Sequence, residues 1–471
     1  MSNTLRRAII TVLLLVAGVA RAEAPAGLAK ALDAIVADGA IGKARVGAAV
    51  MDVTSGELWY GHDGDGRYNV ASNAKLLTTA AALLALGPDA TFPTEVYGSP
   101  ELGAIQGDLV IRGRGNPKLM AKDIAHIANA IKAAGVRRVT GGVVVDDSLF
   151  GGASLPPGYD LKDTDEAYRC SIGALTMEYG AIAVTFKPGA SVGSPARVSV
   201  APDGGDVDFS NQASTVQGKE ERLTVRARGT ADGRTLVTVT GTIGVANKGG
   251  LVRRRVDDPG LVTGRVLREA LRRRGITVEG DVVRGRAPEA EPPMITVPSP
   301  TVAALAKDCN EWSNNHMAEV LLLHVGAASA GAPGTAAKGA AAITKLLEAA
   351  GATGGFEIHN GSGLYGGQFM APRHMVAFLR HVWGLEKVRE PFLASLPVAG
   401  KTGTLKGRMA KTGGRVHAKT GTLDDVITLS GYVKTQGGRW LAFAVLVNDL
   451  KEPAATARRL QDRFVSHLAG L

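Results

Sequence analysis

Ser72 and Lys75, in the stretch Ser-Asn-Ala-Lys, have the residue types and the spacing for nucleophilic catalysis. At the start of a helix, the hydroxyl and the amine lie on one face, a single turn apart. A serine cannot attack an amide unaided, but a neutral lysine at this spacing can take its proton. Burial and a second cation nearby would both keep Lys75 unprotonated. By itself, the pattern is a weak signal, because it is also typical of a helix-capping Ser72 followed by a solvated Lys75.

A second polar stretch, Ser313-Asn314-Asn315, interrupts two apolar segments that are predicted to be helical. The structural interpretation is an N-cap for the helix that continues from Met317 to Leu323. The functional interpretation assigns a proton-relay hydroxyl to Ser313. It assigns to Asn315 a side-chain amide that hydrogen-bonds the backbone of a substrate.

The tripeptide Lys-Thr-Gly occurs three times near the C-terminus, beginning at Lys401, Lys411 and Lys419. Binding a substrate carboxylate needs a cation on a strand that lines the cleft, with hydroxyl and N–H groups beside it. The third copy alone lies in a predicted strand that turns back into a second strand at 427–433. The first two copies lie in sequence typical of loops. The predicted binding residues are therefore Lys419, Thr420, Gly421 and Thr422.

The elements around these motifs predict one sheet built from both ends of the chain. Residues 46–63 are typical of a β-hairpin, and an Ala/Leu-rich helix follows and ends at Gly87. The C-terminal elements are predicted strands at 417–422, 427–433 and 441–448 and an amphipathic helix at 455–470.

The segment between the first two motifs must bulge out of this body. A pattern of helix, glycine, strand, glycine and strand occurs at 121–147 and again at 262–285, which indicates two related halves. The predicted division is a signal peptide at 1–22, a first part of the body at 23–90, inserted modules at 91–294 with a nested β-rich part at about 165–250, and a second part of the body at 295–471.

The N-terminus predicts secretion. Two arginines, Arg6 and Arg7, precede an apolar run at 8–20 and the small-residue cleavage site Ala20-Arg21-Ala22. The run is shorter than the roughly 20 apolar residues that span a bilayer, so we expect no membrane span after cleavage. Cleavage after Ala22 removes three arginines and no acid, which lowers the formal charge from +10 to +7. A basic surface suits an anionic polymer such as a cell wall, and is equally typical of scattered arginines.

Two cysteines, Cys170 and Cys309, permit one disulfide in an oxidising compartment, and the sequence leaves their pairing open. No His/Cys cluster has the spacing of metal ligands, and we expect no metal, no cofactor and no nucleic-acid partner.

Three competing motifs carry less weight. Gly189–Gly193 fits the Gly-x-Ser-x-Gly pattern of esterases, but a strand rather than a helix is predicted after it, which favours a turn. Residues Ser395–Thr402 resemble a phosphate-binding loop, but Ser395 replaces its first glycine. His316 and His417 lie beside the motifs, and solvated or capping roles are favoured for both.

The order of S-N-A-K, S-N-N and K-T-G resembles that of penicillin-recognising serine enzymes. The chain resembles the type-4 penicillin-binding proteins, which are D-alanyl-D-alanine carboxypeptidases and endopeptidases. Segments such as GDLVIRGRGNPKL and DDPGLVTGRVLREALRRRGITVEG extend the resemblance over nearly the whole mature chain. It implies an α/β fold: a serine β-lactamase/transpeptidase-like body, with an antiparallel sheet flanked by helices, and a large α/β insertion between the S-x-x-K and S-x-N motifs.

The resemblance also implies a role for each predicted site residue. The catalytic residues would be Ser72 as the acylated nucleophile, Lys75 as its base and Ser313 as the relay to the leaving amine. The binding residues would be Asn315, which clamps the substrate backbone, and Lys419, Thr420 and Thr422, which hold the terminal carboxylate. The backbone N–H groups of Ser72 and Thr422 would form the oxyanion hole.

The sequence departs from the family in two segments. Asn360–Gly366 reads Asn-Gly-Ser-Gly-Leu-Tyr-Gly where the family has Asp-Gly-Ser-Gly-Leu-Ser-Arg, and Lys401–Thr404 stands where the family has Asp-Gly-Thr. Both departures leave the three catalytic motifs intact. They bear on the efficiency of catalysis and on which acceptor receives the acyl group.

The predicted function is a periplasmic serine DD-peptidase that cleaves D-Ala-D-Ala ends or D-Ala-diamino acid crosslinks of peptidoglycan stem peptides and is acylated by β-lactams. One alternative is β-lactam hydrolysis, which differs in the speed of deacylation. Another is a non-catalytic peptidoglycan-binding protein, against which the intact Ser72, Lys75 and Lys419 argue.

Overall fold

The computed structural model describes residues 23–365 and 368–471, and helices and strands occur throughout both ranges. The predicted signal peptide, residues 1–22, lies outside the described residues. The α-helices are α1 (Leu28–Val36), α2 (Ala74–Leu86), α3 (Ala121–Ala133), α4 (Pro259–Arg272), α5 (Val302–Trp312), α6 (Asn315–Ala330), α7 (Ala336–Ala349), α8 (Pro372–Gly384), α9 (Glu386–Ser395) and α10 (Ala454–Ala469).

The strands of the first half of the chain are β1 (Arg45–Asp52), β2 (Leu58–His62), β3 (Tyr68–Asn69), β4 (Thr94–Tyr97), β5 (Pro100–Glu101), β6 (Ala104–Ile105), β7 (Leu109–Gly113), β8 (Arg138–Val139), β9 (Val143–Asp146), β10 (Ala181–Lys187), β11 (Arg197–Ala201), β12 (Val207–Asn211), β13 (Ser214–Val216) and β14 (Glu221–Gly229). Those of the second half are β15 (Thr235–Gly244), β16 (Gly250–Arg255), β17 (Thr277–Val278), β18 (Val282–Arg284), β19 (Ile295–Val297), β20 (Phe369–Met370), β21 (Val416–Thr422), β22 (Ile427–Lys434) and β23 (Trp440–Asn448).

One antiparallel sheet joins the two ends of the chain, as the sequence predicts. Its order is β2-β1-β23-β22-β21, with β1 and β2 from the N-terminal hairpin and the other strands from the C-terminal end. Strand β1 pairs with β23 from Arg45 opposite Asn448 to Asp52 opposite Leu441. The site motifs on α2 and β21 are thereby joined to one rigid framework.

Helices cover both faces of this sheet. Ala48 and Val50 of β1 face α1 and α10, while Ala49 and Met51 pack in the layer formed by α2 and α5–α9. This alternation follows from the two-residue period of a strand. Helix α2 lies at the centre of its layer, and its residues from Ala74 to Leu83 are all buried. A lysine on this helix is therefore removed from water.

The repeated unit of the insertion is confirmed as two copies that lie side by side. Strand β17 of the second copy pairs in parallel with β8 of the first, and β18 pairs in parallel with β9. The two strands within 136–147 do not pair with each other. They belong to different sheets, β17-β8-β6-β5 and β18-β9-β7-β4-β19, because strands of the second copy and of the preceding segment occupy their edges.

The middle of the insertion is rich in strands, as predicted. One sheet has the order β11-β10-β16, and another has the order β12-β15-β13 with β14 paired to β15. Apolar residues from these sheets and from the two repeated units, such as Val184, Val239 and Leu267, form one buried cluster. The boundaries at residues 90 and 294 stay predictions.

Helices α8 and α9 were not predicted from the sequence, and they pack in the helical layer through Phe378 and Phe392. Helix α8 begins at Pro372, a position where proline is well tolerated. Within residues 23–365 and 368–471, no helix combines the length and the apolar character needed to cross a bilayer.

Candidate active site

Ser72 lies in a 3₁₀ turn, Ala71–Asn73, that leads directly into α2. Ala71 adopts a left-handed φ of 45°. Asn69 Oδ1 accepts the Ala71 N–H at 2.9 Å, and Thr428 Oγ1 donates at 3.0 Å to the carbonyl oxygen just before the turn. A non-glycine residue in this region is strained, and such strain persists where the surroundings hold it in place. The turn therefore presents the Ser72 hydroxyl in one defined position.

Two glycines allow other segments to approach this turn. A Cβ atom on Gly363 would overlap the Ala71 carbonyl group, and one on Gly421 would overlap Thr428 Oγ1. The Cβ of Gly421 would also lie 3.1 Å from the backbone nitrogen of Ser72. The glycine of the third Lys-Thr-Gly copy is thus what brings β21 against the proposed nucleophile.

Lys75 is fully buried, and its Nζ atom has three hydrogen-bond partners. They are Ser72 Oγ at 3.0 Å, Asn315 Oδ1 at 2.7 Å and the Ser362 carbonyl oxygen at 2.7 Å. The last two can only accept hydrogen bonds, whereas a hydroxyl can also donate. A neutral amine has two protons and one lone pair. Its protons satisfy Asn315 and Ser362, and its lone pair then points at the Ser72 hydroxyl.

The second buried lysine, Lys419, lies on β21 and contacts the S-N-N motif. Its Nζ donates to Ser313 Oγ at 2.9 Å and to the Thr420 carbonyl at 2.7 Å, while Thr422 is exposed at the end of the strand. Burial lowers the pKa of Lys75 to about 8. Burial, and then the charge of Lys75, lower the pKa of Lys419 well below its ordinary value. A charge on Lys75 therefore opposes protonation of Lys419.

The S-N-N stretch joins α5 to α6. Ser313 ends α5 with a φ of 55°, and Asn314 Oδ1 caps α6 by accepting the Met317 N–H at 3.0 Å. The capping interpretation is therefore correct for Asn314. The Asn315 amide accepts from Lys75 and donates at 2.8 Å to the Tyr168 carbonyl of the insertion. One N–H of this amide remains for the predicted contact with a substrate.

The three Lys-Thr-Gly copies differ as predicted in their backbone context. Lys419 is buried within a strand, whereas Lys401 is exposed in a turn and Lys411 is exposed in a short 3₁₀ turn. The first copy still adjoins the site through the residue that follows it, because Thr420 Oγ1 donates to Thr404 Oγ1 at 2.8 Å. Thr404 lies in the second segment that departs from the family pattern, and the sequence predicts no role for it.

Three further residues adjoin the site, and the motifs predict no role for them: Tyr159 of the insertion, Glu319 of α6 and Ser362. Glu319 is a buried carboxylate behind Lys75, and Ser362 supplies one of the lysine's acceptors. The signal for Glu319 was a single acidic residue within the apolar stretch Met-Ala-Glu-Val-Leu-Leu-Leu. Such a residue is rarely buried without a partner.

The remaining candidates are the two cysteines, His316 and the Gly-x-Ser-x-Gly pattern. Cys170 and Cys309 are both buried free thiols. His316 packs against Tyr179, and burial lowers its pKa to about 3, so its ring is neutral. Gly189–Gly193 forms a turn before β11, as predicted. In the described part of the chain, no group of three or more His, Cys, Asp or Glu side chains is arranged to hold a metal ion.

Comparisons with known proteins identify the family and the fold of the chain. The sequence profile of the D-Ala-D-Ala carboxypeptidase 3 (S13) family matches residues 28–468. The D-alanyl-D-alanine carboxypeptidase of Actinomadura sp. (strain R39) is 35% identical over 458 residues, which cover 93% of this chain and 84% of that protein. The D-alanyl-D-alanine carboxypeptidase DacB of Haemophilus influenzae is 24% identical over 422 residues, which cover 86% of this chain and 85% of that protein.

Solved structures share the fold at lower identity. The crystal structure of penicillin binding protein 4 (dacB) from Haemophilus influenzae superimposes with a TM-score of 0.80 at 20% identity, over 94% of this chain and 99% of that chain. The predicted α/β fold is confirmed by this likeness. Because the family profile spans nearly all of the described chain and a carboxypeptidase is 35% identical to it over 458 residues, the chain belongs to the D-Ala-D-Ala carboxypeptidase 3 (S13) family of serine-type peptidases, which includes the type-4 penicillin-binding proteins.

Proposed function

We propose that this carboxypeptidase acts in the periplasm on peptidoglycan stem peptides through an acyl-Ser72 intermediate, and that β-lactams acylate the same serine. It would cleave terminal D-Ala-D-Ala bonds, D-Ala-diamino acid crosslinks, or both. The observation that carries the proposal is the contact between Lys75 Nζ and Ser72 Oγ at 3.0 Å, made by a buried amine whose other two partners are acceptors. The structure of the related Haemophilus influenzae protein with a β-lactam supports the second part.

Acylation begins when Ser72 Oγ attacks the carbonyl carbon of the scissile bond and gives its proton to Lys75 Nζ. The new Oγ–C bond forms a tetrahedral adduct, and its collapse breaks the C–N bond. The leaving amine takes up one proton through the Ser313 hydroxyl, and Lys75 returns to its neutral form. Water then attacks the ester, gives a proton to Lys75 and releases the shortened peptide from Ser72, which regains its hydroxyl proton.

The third Lys-Thr-Gly copy would bind the substrate. Lys419, with the hydroxyls of Thr420 and Thr422, would hold the terminal carboxylate, and an incoming anion would favour the charged form of the lysine. The N–H groups of Ser72 and Thr422 would stabilise the negative charge that develops on the carbonyl oxygen. The close approach of Gly421 to the Ser72 backbone supports this arrangement, because Gly421 is the residue that precedes Thr422.

The predicted export and domain division complete the proposal. A signal peptide cleaved after about Ala22 would deliver the chain to the periplasm, where its substrate lies. Residues 91–294 would form one or two inserted modules on a body made of residues 23–90 and 295–471. A net positive charge on the mature protein suits an anionic cell wall.

The decisive experiment is intact-protein mass spectrometry after incubation with benzylpenicillin, followed by peptide mapping. We expect one penicilloyl adduct on the peptide that contains Ser72, and release of D-alanine from a D-Ala-D-Ala peptide. Rapid turnover of the antibiotic without a stable adduct would favour β-lactam hydrolysis. A complete absence of both reactions would favour a non-catalytic peptidoglycan-binding protein.

The pH dependence of acylation should report on Lys75. The neutral amine is the active base, and burial lowers the pKa of Lys75 to about 8. The acylation rate constant at saturating benzylpenicillin should therefore rise with pH and level off above about pH 8. Stopped-flow measurements between pH about 6 and about 10 test this dependence. A rate constant that is flat or that falls as the pH rises through 7 and 8 would contradict the assignment.

Lys419→Ala should reduce penicillin acylation and turnover of D-Ala-D-Ala peptides by about a hundredfold or more, because a buried cation that meets the substrate is lost. Lys411→Ala is the matched control, since Lys411 is exposed in a turn, and its loss should have little effect. Lys401→Ala should be intermediate at most. A Lys419→Ala protein with normal kinetics, or a folded but inactive Lys411→Ala protein, would reverse the choice among the three copies.

A further inference from the structure

A buried carboxylate organises the loop that supplies one of the Lys75 acceptors. Glu319 lies between apolar residues of α6, and its side chain is only 2% exposed. Its Oε2 accepts the Gly361 N–H at 2.9 Å, and its Oε1 accepts the Ser362 N–H at 2.9 Å. Two consecutive peptide groups are therefore held by one side chain. Both oxygens act as acceptors, so an amide in place of the carboxylate would present a donor to one of these N–H groups.

This contact fixes the backbone that leads into the Ser362 carbonyl. The carbonyl of the same loop residue accepts the Lys75 proton at 2.7 Å, and Thr78 Oγ1 holds the Gly361 carbonyl at 2.8 Å. The loop is thus hydrogen-bonded to Glu319 through its N–H groups and to Thr78 of α2 through the Gly361 carbonyl. The Ser362 carbonyl belongs to the next peptide group, whose N–H, on Gly363, donates to Asn360 Oδ1 at 2.9 Å. A shift of the two peptide groups that Glu319 holds would therefore move this acceptor away from Lys75.

The insertion completes the network. The Tyr159 hydroxyl lies 3.2 Å from Glu319 Oε1 and 2.8 Å from Ser362 Oγ, and all three side chains are buried. A few residues later, the Tyr168 carbonyl accepts from Asn315 Nδ2 at 2.8 Å. One segment of the insertion therefore supports both residues whose oxygens accept from Lys75, Asn315 and Ser362. These two residues lie 240 and 287 positions from Lys75 along the chain.

We propose that Glu319 is a positioning residue for the general base Lys75, and that the insertion takes part in catalysis by supporting this residue through Tyr159. The inference rests on the proposed function, in which Lys75 accepts the Ser72 proton. Fixing the Ser362 and Asn315 acceptors consumes both protons of the neutral amine and directs its lone pair at Ser72 Oγ. The inserted segment is then a part of the active site, and its removal would disable the base even if the body folded.

The test separates the acylation rate constant, k2, from the dissociation constant of the initial complex, K, for benzylpenicillin by stopped flow. Glu319→Gln has nearly the same size and should lower k2 by about 10- to 100-fold, part of the contribution of a well-placed base. Tyr159→Phe should lower k2 by about fivefold, the typical net effect of one hydrogen bond. K should stay within about twofold for both, because neither side chain is a binding residue. Asp160→Asn, an exposed change in the same turn, is the control and should change neither constant.

A folded Glu319→Gln protein with native k2, or one whose loss appears entirely in K, overturns the inference. If Glu319→Gln does not fold, Tyr159→Phe decides in the same way, because it removes a single oxygen atom. Native protein that is not labelled at Ser72 overturns the proposed function together with this inference. Normal native labelling with an unaffected Glu319→Gln variant overturns the inference alone.

Discussion

Ser72→Ala abolishes both penicillin labelling and release of D-alanine. No adduct forms on the variant, because Ser72 is the residue whose hydroxyl lies 3.0 Å from the buried Lys75 amine. Without a nucleophile activated by a base, only slow attack by water remains. The measurement is intact mass after exposure to benzylpenicillin, together with a D-alanine assay on a D-Ala-D-Ala peptide. The change removes one oxygen from a half-buried side chain, so the melting temperature should stay near that of the native protein.

The matched control for this variant is Ser191→Ala. Ser191 is the serine of the competing Gly-x-Ser-x-Gly pattern and is exposed in a turn of the insertion. Its loss should leave labelling and peptide release unchanged. Retained acylation of Ser72→Ala at the native rate would reject Ser72 as the nucleophile.

Lys75→Ala should slow acylation by about a thousandfold, which lies within the range for loss of a general base. The hydroxyl of Ser72 remains, but its proton has no acceptor within reach. We expect the variant to fold, because removing a buried amine also removes the free energy needed to bury it. Stopped-flow acylation and thermal unfolding test both expectations.

Lys345→Ala provides the comparison for this change, because Lys345 is exposed on α7 and its loss should alter neither rate nor stability. A Lys75→Ala protein that acylates normally would show that another group is the base. The pH profile offers an independent check, since the rise toward pH 8 should disappear in this variant.

The two departures from the family pattern can be assessed from the structure. Asn360 takes the place of an aspartate, and its Oδ1 accepts the Gly363 N–H at 2.9 Å while its Nδ2 donates at 2.9 Å to the Pro157 carbonyl. The Asn360 amide therefore hydrogen-bonds the loop that contains Ser362 through both its oxygen and its nitrogen atom. Lys401 is exposed, whereas Thr404 of the same segment meets Thr420. This second departure leaves a hydroxyl at the rim of the cleft.

Local features of the fold were accessible from the sequence. Helix α2 with its end at Gly87, the hairpin of β1 and β2, and the three C-terminal strands follow from apolar periodicity and turn residues, which act over a few positions. The choice of Lys419 over Lys401 and Lys411 was also local, because it required recognising only one strand and its turn. The repeated unit of the insertion was visible in the same way.

The tertiary structure alone decided which side chains meet. Lys75 lies 240 positions from Asn315 and 287 from Ser362 along the chain. Strands β17 and β18 likewise pair with strands of the first copy, which lie far from them in the sequence. Sequence patterns mark Ser72 and Lys75 because helical spacing relates neighbours along the chain. They did not mark Glu319 or Tyr159, because a buried polar residue is explained by its partners, and packing of distant segments determines those partners.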